Sequence, residues 1–274
     1  MKLSCLPVSF FPQILSGQMS VAEWARMGAR LGLDAIDFSI LFVPGRSLGE
    51  AAALRRQVEA EGMRVAMVTT YPDLTHPDAR RRAEEVALES EAVAIAAELG
   101  AEMVRVTAGQ AYPETSRAAG IQWAAEGLSA LVAAAAGSGV TLVYENHSKP
   151  MVWDYTDFSE PPDVFLEIAA LTAAAGLKIN FDVGNAAAFS DDPLALLRAV
   201  MGRVHSIHAS DTAARGRLEH VLLGTGVTPY PALFAHLRRS GWDGWICMEE
   251  ASTQGEAGIA KAARFVRKTW EESI

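Results

Sequence analysis

Residues 142–147 read LVYENH, an apolar run that finishes on an acid, an amide and an imidazole in succession. A run of this length reads as a buried strand. A buried carboxylate must be paired or bound to a cation, because stripping its water costs several kcal/mol or more. Three later runs end in the same manner: KINFDVGN at 178–185, VHSIHASD at 204–211 and WICMEE at 245–250. Side chains alternate between the two faces of a strand. Thr141, Val143 and Glu145 therefore share a face, as do Asn180 and Asp182, Ser206 and His208, and Cys247 and Glu249. In each strand this is the smaller or more polar set, the better candidate for the inner face. Three carboxylates and one imidazole aimed at one point repel each other unless a cation sits among them. The mix of oxygen and nitrogen donors suits Mn²⁺, Mg²⁺, Co²⁺ or Zn²⁺, and without an inward cluster of thiolates a structural zinc site is not expected. Glu145, Asp182, His208 and Glu249 are thus candidate ligands of one divalent metal ion. Strand ends bend, so Glu250 remains the alternative to Glu249. Any one of these residues alone could serve as a salt-bridge partner or a cap; four in register on consecutive strands are harder to explain that way.

The elements that must hold them repeat one phrase: an Ala-rich amphipathic helix, a glycine, then a short apolar run. Glycines 32, 62, 100, 139, 176, 202 and 241 each close a helical pattern, as a left-handed C-cap does. After them come LDAIDFSI, MRVAMVTT, AEMVRVTAG, VTLVYENH, LKINFDVGN, RVHSIHASD and GWICMEE, and LSCLPVSF at the start makes eight predicted strands. Ser47-Leu-Gly-Glu50 reads as a capping box, and DDPLALLRAVMG as a short helix before the seventh strand. Alternating strands and helices imply a parallel sheet. Eight such units in about 250 residues imply an α/β fold, a (β/α)₈ TIM barrel. The alternative is an open doubly wound sheet, but no G-x-G-x-x-G follows the first strand. No linker or low-complexity stretch divides the chain, so a single domain over 1–274 is expected. Active sites of such barrels sit at the C-terminal strand ends, which here read SFF, FSI, TTYPD, TAGQ, YENH, FDVGN, IHASD and MEEAS. Ionisable groups crowd the last four. The first four offer mainly Ser, Thr and aromatics, so chemistry is expected on one side of the mouth and a substrate wall on the other.

Of 274 residues, 50% are hydrophobic, ample for a large core, and the formal charge is −9. Duplex binding is driven by basic residues that neutralise phosphates, so this balance speaks against a nucleic-acid partner and for a small-molecule enzyme. The two cysteines, Cys5 and Cys247, are too few for a disulfide framework. The opening MKLSC superficially suggests a lipoprotein leader, but the apolar stretch before Cys5 is far too short. No run approaches the roughly 18 apolar residues of a membrane span. A cytoplasmic protein is expected, with no membrane partner and with homo-oligomerisation left open.

In this order and at these intervals, YENH, FDVGN, VHSIHASD, LGTG and GWICMEE resemble the xylose isomerase-like TIM-barrel superfamily, the sugar phosphate isomerase/epimerase group. TTYPDLTHPD and VRVTAG fit its third and fourth strand ends, so the resemblance spans nearly the whole chain. It implies that Glu145, Asp182, His208 and Glu249 hold one divalent metal, and that Glu145 and Glu249 are catalytic and exchange the substrate's proton. The expected activity is that of a metal-dependent sugar isomerase or epimerase, acting on a ketose or related polyhydroxy ketone through a metal-stabilised enediolate. The chain departs from the family at two points. Asn185 stands where many relatives carry His three residues after the sixth-strand Asp, and Asp37 where they often carry Glu. Both departures leave the metal ligands intact and bear on the substrate.

The candidate substrate contacts are His147, Asn185, Asp211, Arg217, His220 and Trp153. His147 could instead orient Glu145 or cap the strand. His220, Arg215 and Arg217 lie in the loop after the seventh strand, where they could meet hydroxyls or a phosphate; solvated loop charges are the commoner case, for Lys149 as well. Trp153, Tyr155 and Phe11 are candidates for an apolar floor, with core packing the alternative for Phe11. The first rival activity is a dehydratase of the inosose type, which uses the same proton abstraction and then expels a β-hydroxyl. A phosphodiesterase like the abasic-site endonucleases would need extra histidines for a multi-zinc cluster. A non-catalytic ligand binder would have little use for both glutamates.

Overall fold

Each predicted strand forms, and each feeds a helix. In the computed structural model, which describes residues 1–273, the strands are β1 (Lys2–Leu6), β2 (Ile36–Ser39), β3 (Val65–Thr69), β4 (Met103–Val106), β5 (Thr141–Glu145), β6 (Lys178–Asp182), β7 (Val204–Ala209) and β8 (Trp245–Glu249). They form one parallel sheet in the order β1-β8-β7-β6-β5-β4-β3-β2. The seam between β1 and β2 closes by other means than a ladder. The Asp34 N–H donates to the Leu3 carbonyl at 2.8 Å, and the Leu3 N–H donates to Asp34 Oδ2 at 2.8 Å. Inside the ring the Ser4 hydroxyl donates to Asp37 Oδ2 at 2.7 Å. The result is a (β/α)₈ barrel.

The helices are α1 (Phe11–Leu15), α2 (Val21–Arg30), α3 (Leu48–Ala60), α4 (Ala79–Glu98), α5 (Arg117–Ala134), α6 (Pro162–Leu171), α7 (Val183–Phe189), α8 (Pro193–Val200), α9 (Tyr230–Arg239) and α10 (Gly255–Glu272). Two crossovers thus carry two helices each, α1–α2 and α7–α8. Local chemistry sets their starts. The full capping box is Ser20 with Glu23, each satisfying the other's backbone at the head of α2. Ser47 supplies only one arm of the box expected at α3, accepting from the Glu50 N–H at 3.2 Å. Gly32, Gly62, Gly100, Gly139, Gly176 and Gly241 take positive φ where helices hand over to strands. Gly202 does not: it lies in a tight 3₁₀ turn, Met201–Arg203, that leads directly into β7.

Because helices cover the outside and side chains fill the inside, the strands read as continuous apolar runs. The inner layer holds Met67, Met103, Val143, Trp245 and Cys247, all essentially solvent-free. Tyr144, Phe165, Ile179 and Phe181 belong to the larger core between strands and helices. Val143 and Cys247 are the residues two before Glu145 and Glu249, so the same alternation that buries them at mid-barrel sends both carboxylates to the inner face one layer higher. Among the described residues no helix is long and apolar enough to cross a membrane.

Candidate metal centre and substrate cleft

Glu145, Asp182, His208 and Glu249 end β5, β6, β7 and β8 and converge. One ligand atom from each lies within 4.8 Å of the others. His208 is at the centre. Its Nδ1 sits 2.8 Å from Glu145 Oε1 and 3.5 Å from Glu249 Oε2. Sheet register explains the grouping, since Asp182 stands beside His208 and His208 beside Cys247, two residues before Glu249.

The amide of YENH, Asn146, positions the second candidate, Asp182. The Asp182 N–H donates to Asn146 Oδ1 at 2.8 Å, and Asn146 Nδ2 donates to the Asp182 carbonyl at 2.9 Å. This clamp ties the end of β5 to the end of β6. The Asp182 carboxylate also caps α7, accepting at Oδ1 from the Asn185 N–H at 2.6 Å and from the Ser210 hydroxyl at 2.9 Å. That approach depends on Gly184, where any Cβ would collide with Ser210. Asp182 Oδ2 and His208 Nε2 remain buried without a hydrogen-bond partner.

Without an ion the cluster balances its charges with protons. Burial, followed by the neighbouring Glu145 and Glu249, pushes the Asp182 carboxyl well above its ordinary value. Burial opposes a charged His208, yet the two glutamates hold its imidazole well above the usual range. Burial likewise opposes ionised glutamates, but His208 and Arg105 keep Glu145 low, and His208 keeps Glu249 low. Protons are thus held where a divalent ion would neutralise the same carboxylates. The donor set of three carboxylates and one imidazole, with unsatisfied atoms among them, fits such an ion.

Arg105, on β4, is the partner that strand-end reasoning overlooked. Its Nε lies 2.8 Å from Glu145 Oε2, a charge contact between side chains 2% and 0% exposed. Its Nη1 donates to the Thr70 carbonyl at 2.8 Å, and its guanidinium lies 5.0 Å from the centre of the Tyr71 ring.

Beside the cluster opens a cavity of about 300 Å³, with Arg105, His147, His220 and Glu249 on its polar side and Leu6, Val8, Phe11, Leu41, Tyr71 and Val152 on its apolar side. His147 and His220 thus lie where a bound molecule would meet them. Trp153 is buried behind His147, edge-on at 6.3 Å, and is not itself on the wall. His147 Nδ1 faces Asp157 Oδ2 at 3.7 Å. Phe11 lines the cavity and also packs edge-on against Phe42 at 4.9 Å.

The other candidates are placed elsewhere. Asp211 spends its carboxylate on the loop after β7, accepting from the N–H groups of Thr212, Gly224, Gly226 and Thr228 at 2.9–3.2 Å. Arg217 is 71% exposed and paired with Glu219. Asn185 donates its backbone N–H to Asp182 and borders a small void together with Asn146 and Glu160. Lys149 is tied to the Asp154 carbonyl, Arg215 to the Asp191 carbonyl, and Tyr155 packs on Tyr112 at 5.3 Å. Glu250 is buried away from the cluster, accepting from the Ser9 hydroxyl at 2.5 Å and from the Ser252 N–H at 3.0 Å.

Comparison with known proteins gives this arrangement a lineage. L-ribulose-5-phosphate 3-epimerase UlaE of Salmonella paratyphi C (strain RKS4594) is 24% identical, with 96% of this chain and 94% of that protein covered. The crystal structure of D-psicose 3-epimerase from Clostridium cellulolyticum H10, with D-tagatose, superposes with a TM-score of 0.79 at 14% identity, covering 98% and 99% of the two chains. The probable 3-DHS dehydratase AsbF of Bacillus anthracis superposes with a TM-score of 0.75 at 15% identity, covering 97% and 99%. The family model described as xylose isomerase-like TIM barrel matches residues 25–269, and the chain belongs to that family.

Proposed function

We propose that the protein is a divalent-metal-dependent sugar isomerase or epimerase that moves a proton on the carbon beside the carbonyl of a ketose or related polyhydroxy ketone. One observation carries this reading above the others: Glu145 and Glu249 flank a single imidazole, and Glu249 lines a sugar-sized cavity. The named epimerase relatives support it. Glu145, Asp182, His208 and Glu249 would hold the ion, which when bound supplies Lewis-acid polarisation of the substrate's oxygens.

The remaining work falls to the chain. Glu249 lines the cavity and is held low enough to be ionised at neutral pH, so it can accept the substrate's proton. His208 and Arg105 fix the two oxygens of Glu145. His147 and His220 offer ring nitrogens to substrate hydroxyls from the polar wall. Leu6, Val8 and Phe11 exclude water on the opposite side, which strengthens the electrostatics of proton transfer.

A second reading, a dehydratase of the inosose type, is favoured by the Arg105 contact. A carboxylate whose oxygens are engaged by a guanidinium and an imidazole is a poor base, whereas elimination of a β-hydroxyl requires proton abstraction from one face only. The phosphodiesterase reading has less support: Asn185 meets Asp182 through its backbone, and the chain carries a charge of −9. Incubating the metal-loaded protein with a panel of ketoses and inososes in D₂O, followed by NMR, separates the readings. Carbon-bound deuterium with a new stereoisomer marks an epimerase, a new aldose an isomerase, and loss of water a lyase. No deuterium incorporation into any member would contradict all three.

A further inference from the structure

His147 stands on the cavity wall and turns its Nδ1 toward a buried carboxylate, Asp157. The chain leaves β5, runs out through residues 149–156 and is brought back beside His147 by its own backbone. The Asp157 N–H donates to the Ser148 carbonyl, the Ala111 N–H to the Thr156 carbonyl at 2.9 Å, and the Phe158 N–H to the Gly109 carbonyl at 2.7 Å. Asp157 Oδ1 accepts from both the N–H and the hydroxyl of Ser159, each at 2.7 Å. Its Oδ2 is sealed from solvent without a hydrogen-bond partner, and so is His147 Nδ1, 3.7 Å away.

Each of these two atoms is costly to bury alone, and each satisfies the other when Nδ1 carries the ring's proton. A separation of 3.7 Å is longer than a hydrogen bond; contacts of this kind tighten once substrate is bound. Burial pushes the Asp157 carboxyl above its ordinary value, while His147 and Ser159 hold it down. An ionised carboxylate only accepts, so it selects the Nδ1–H tautomer of a neutral imidazole. Nε2, which is not sealed as Nδ1 is, then carries a bare lone pair. Trp153, edge-on to the imidazole at 6.3 Å, packs against the same ring.

We propose that Asp157 is a positioning residue that fixes His147 as the Nδ1–H tautomer, so that Nε2 accepts a hydrogen bond from a substrate hydroxyl and has none to donate to a carbonyl or ether oxygen. The wall at His147 thereby selects a free hydroxyl. The inference deepens the isomerase reading and rests on it for the polyhydroxy ketone that supplies this hydroxyl; the tautomer itself does not depend on it.

Asp157→Asn is the diagnostic substitution, because Ser159 dictates how the new amide lies. The Ser159 N–H requires an acceptor, so the amide oxygen keeps the place of Oδ1 and Nδ2 takes that of Oδ2. Nδ2 then donates to His147 Nδ1, and the ring's proton moves to Nε2. The acceptor presented to substrate becomes a donor.

The test is long-range ¹H–¹⁵N NMR at pH 8 on histidine-labelled protein loaded with diamagnetic Zn²⁺, the His147 signals being those lost in His147→Gln. In the wild type Nδ1 should carry the proton and Nε2 none, and in Asp157→Asn the two should exchange roles. With the ketose that the wild type labels in D₂O, Asp157→Asn should lower kcat/KM for deuterium exchange roughly tenfold or more. An Nε2–H tautomer or a mixture in the wild type overturns the proposal, and that measurement decides the matter even if Asp157→Asn fails to fold. So does an unchanged tautomer in folded Asp157→Asn, or a switched tautomer with undiminished exchange. The expected tautomers without exchange into any ketose would instead sink the isomerase reading and leave the positioning of His147 standing.

Discussion

Arg105 Nε lies 2.8 Å from Glu145 Oε2 inside the barrel, where both side chains are almost wholly shielded from water. Glu145 thus has a permanent cationic neighbour on one oxygen and His208 on the other. The arrangement fixes the rotamer of a metal-ligand candidate before any ion arrives, which is how a preorganised site avoids reorganising during the reaction.

Breaking this pair from one side should be expensive. Arg105→Met leaves Glu145 buried without its counter-ion and should destabilise the chelated protein by roughly 3–5 kcal/mol. Glu145→Gln in the same background should recover part of that loss. Urea denaturation in EDTA measures both, and an unchanged midpoint for Arg105→Met would mean that the contact carries no charge energy.

Glu145 and Glu249 should differ in kinetic character. Glu249→Gln should slow proton transfer by roughly 10²–10⁴-fold at saturating metal, the usual contribution of a positioned base. Glu145→Gln should weaken metal binding and, in an epimerase, abolish net inversion while deuterium exchange from one substrate epimer survives. Glu250→Gln should leave proton transfer near the wild-type rate, since Glu250 faces Ser9 and Ser252. A normal Glu249→Gln with an inactive Glu250→Gln would move the eighth-strand base by one residue.

Asp37 should set a pH dependence of stability. Burial pushes its carboxyl from an ordinary 3.8 up to about 7, despite the Ser4 hydroxyl, and Oδ1 has no hydrogen-bond partner. Between these values the folded chain holds a proton that the unfolded chain releases, so this contribution to stability is lost as pH rises from about 4 to about 7. Asp37→Asn stays neutral throughout. It should exceed the wild type by roughly 2–4 kcal/mol at high pH and match it at low pH. Denaturation curves across that range check this, and parallel pH profiles for the two proteins would contradict it.

Much of the site is legible in the strands because alternation and burial are strict in a barrel. The period of two that buries Val143 and Cys247 also chooses Glu145 and Glu249, and it separates Glu249 from Glu250. The same parity pairs Arg105 with Met103 on the inner face, but VRV reads as an ordinary apolar strand unless each inward charge is asked for a partner. Asn146 is hidden for a related reason, since its side chain works on the backbone of Asp182 and no sequence pattern marks that contact. Loop residues are harder still. Asp211 has the chemistry of a substrate contact, but the turn containing Gly224 and Gly226 folds back and consumes its oxygens.

The central claim is that Glu145, Asp182, His208 and Glu249 hold one divalent ion. Elemental analysis of protein purified without chelator tests it most directly, performed on the wild type and on Asp182→Ala and His208→Ala. About one ion per chain in the wild type, and loss of most of it in both variants, is the predicted result. Full retention of metal in both variants would contradict it.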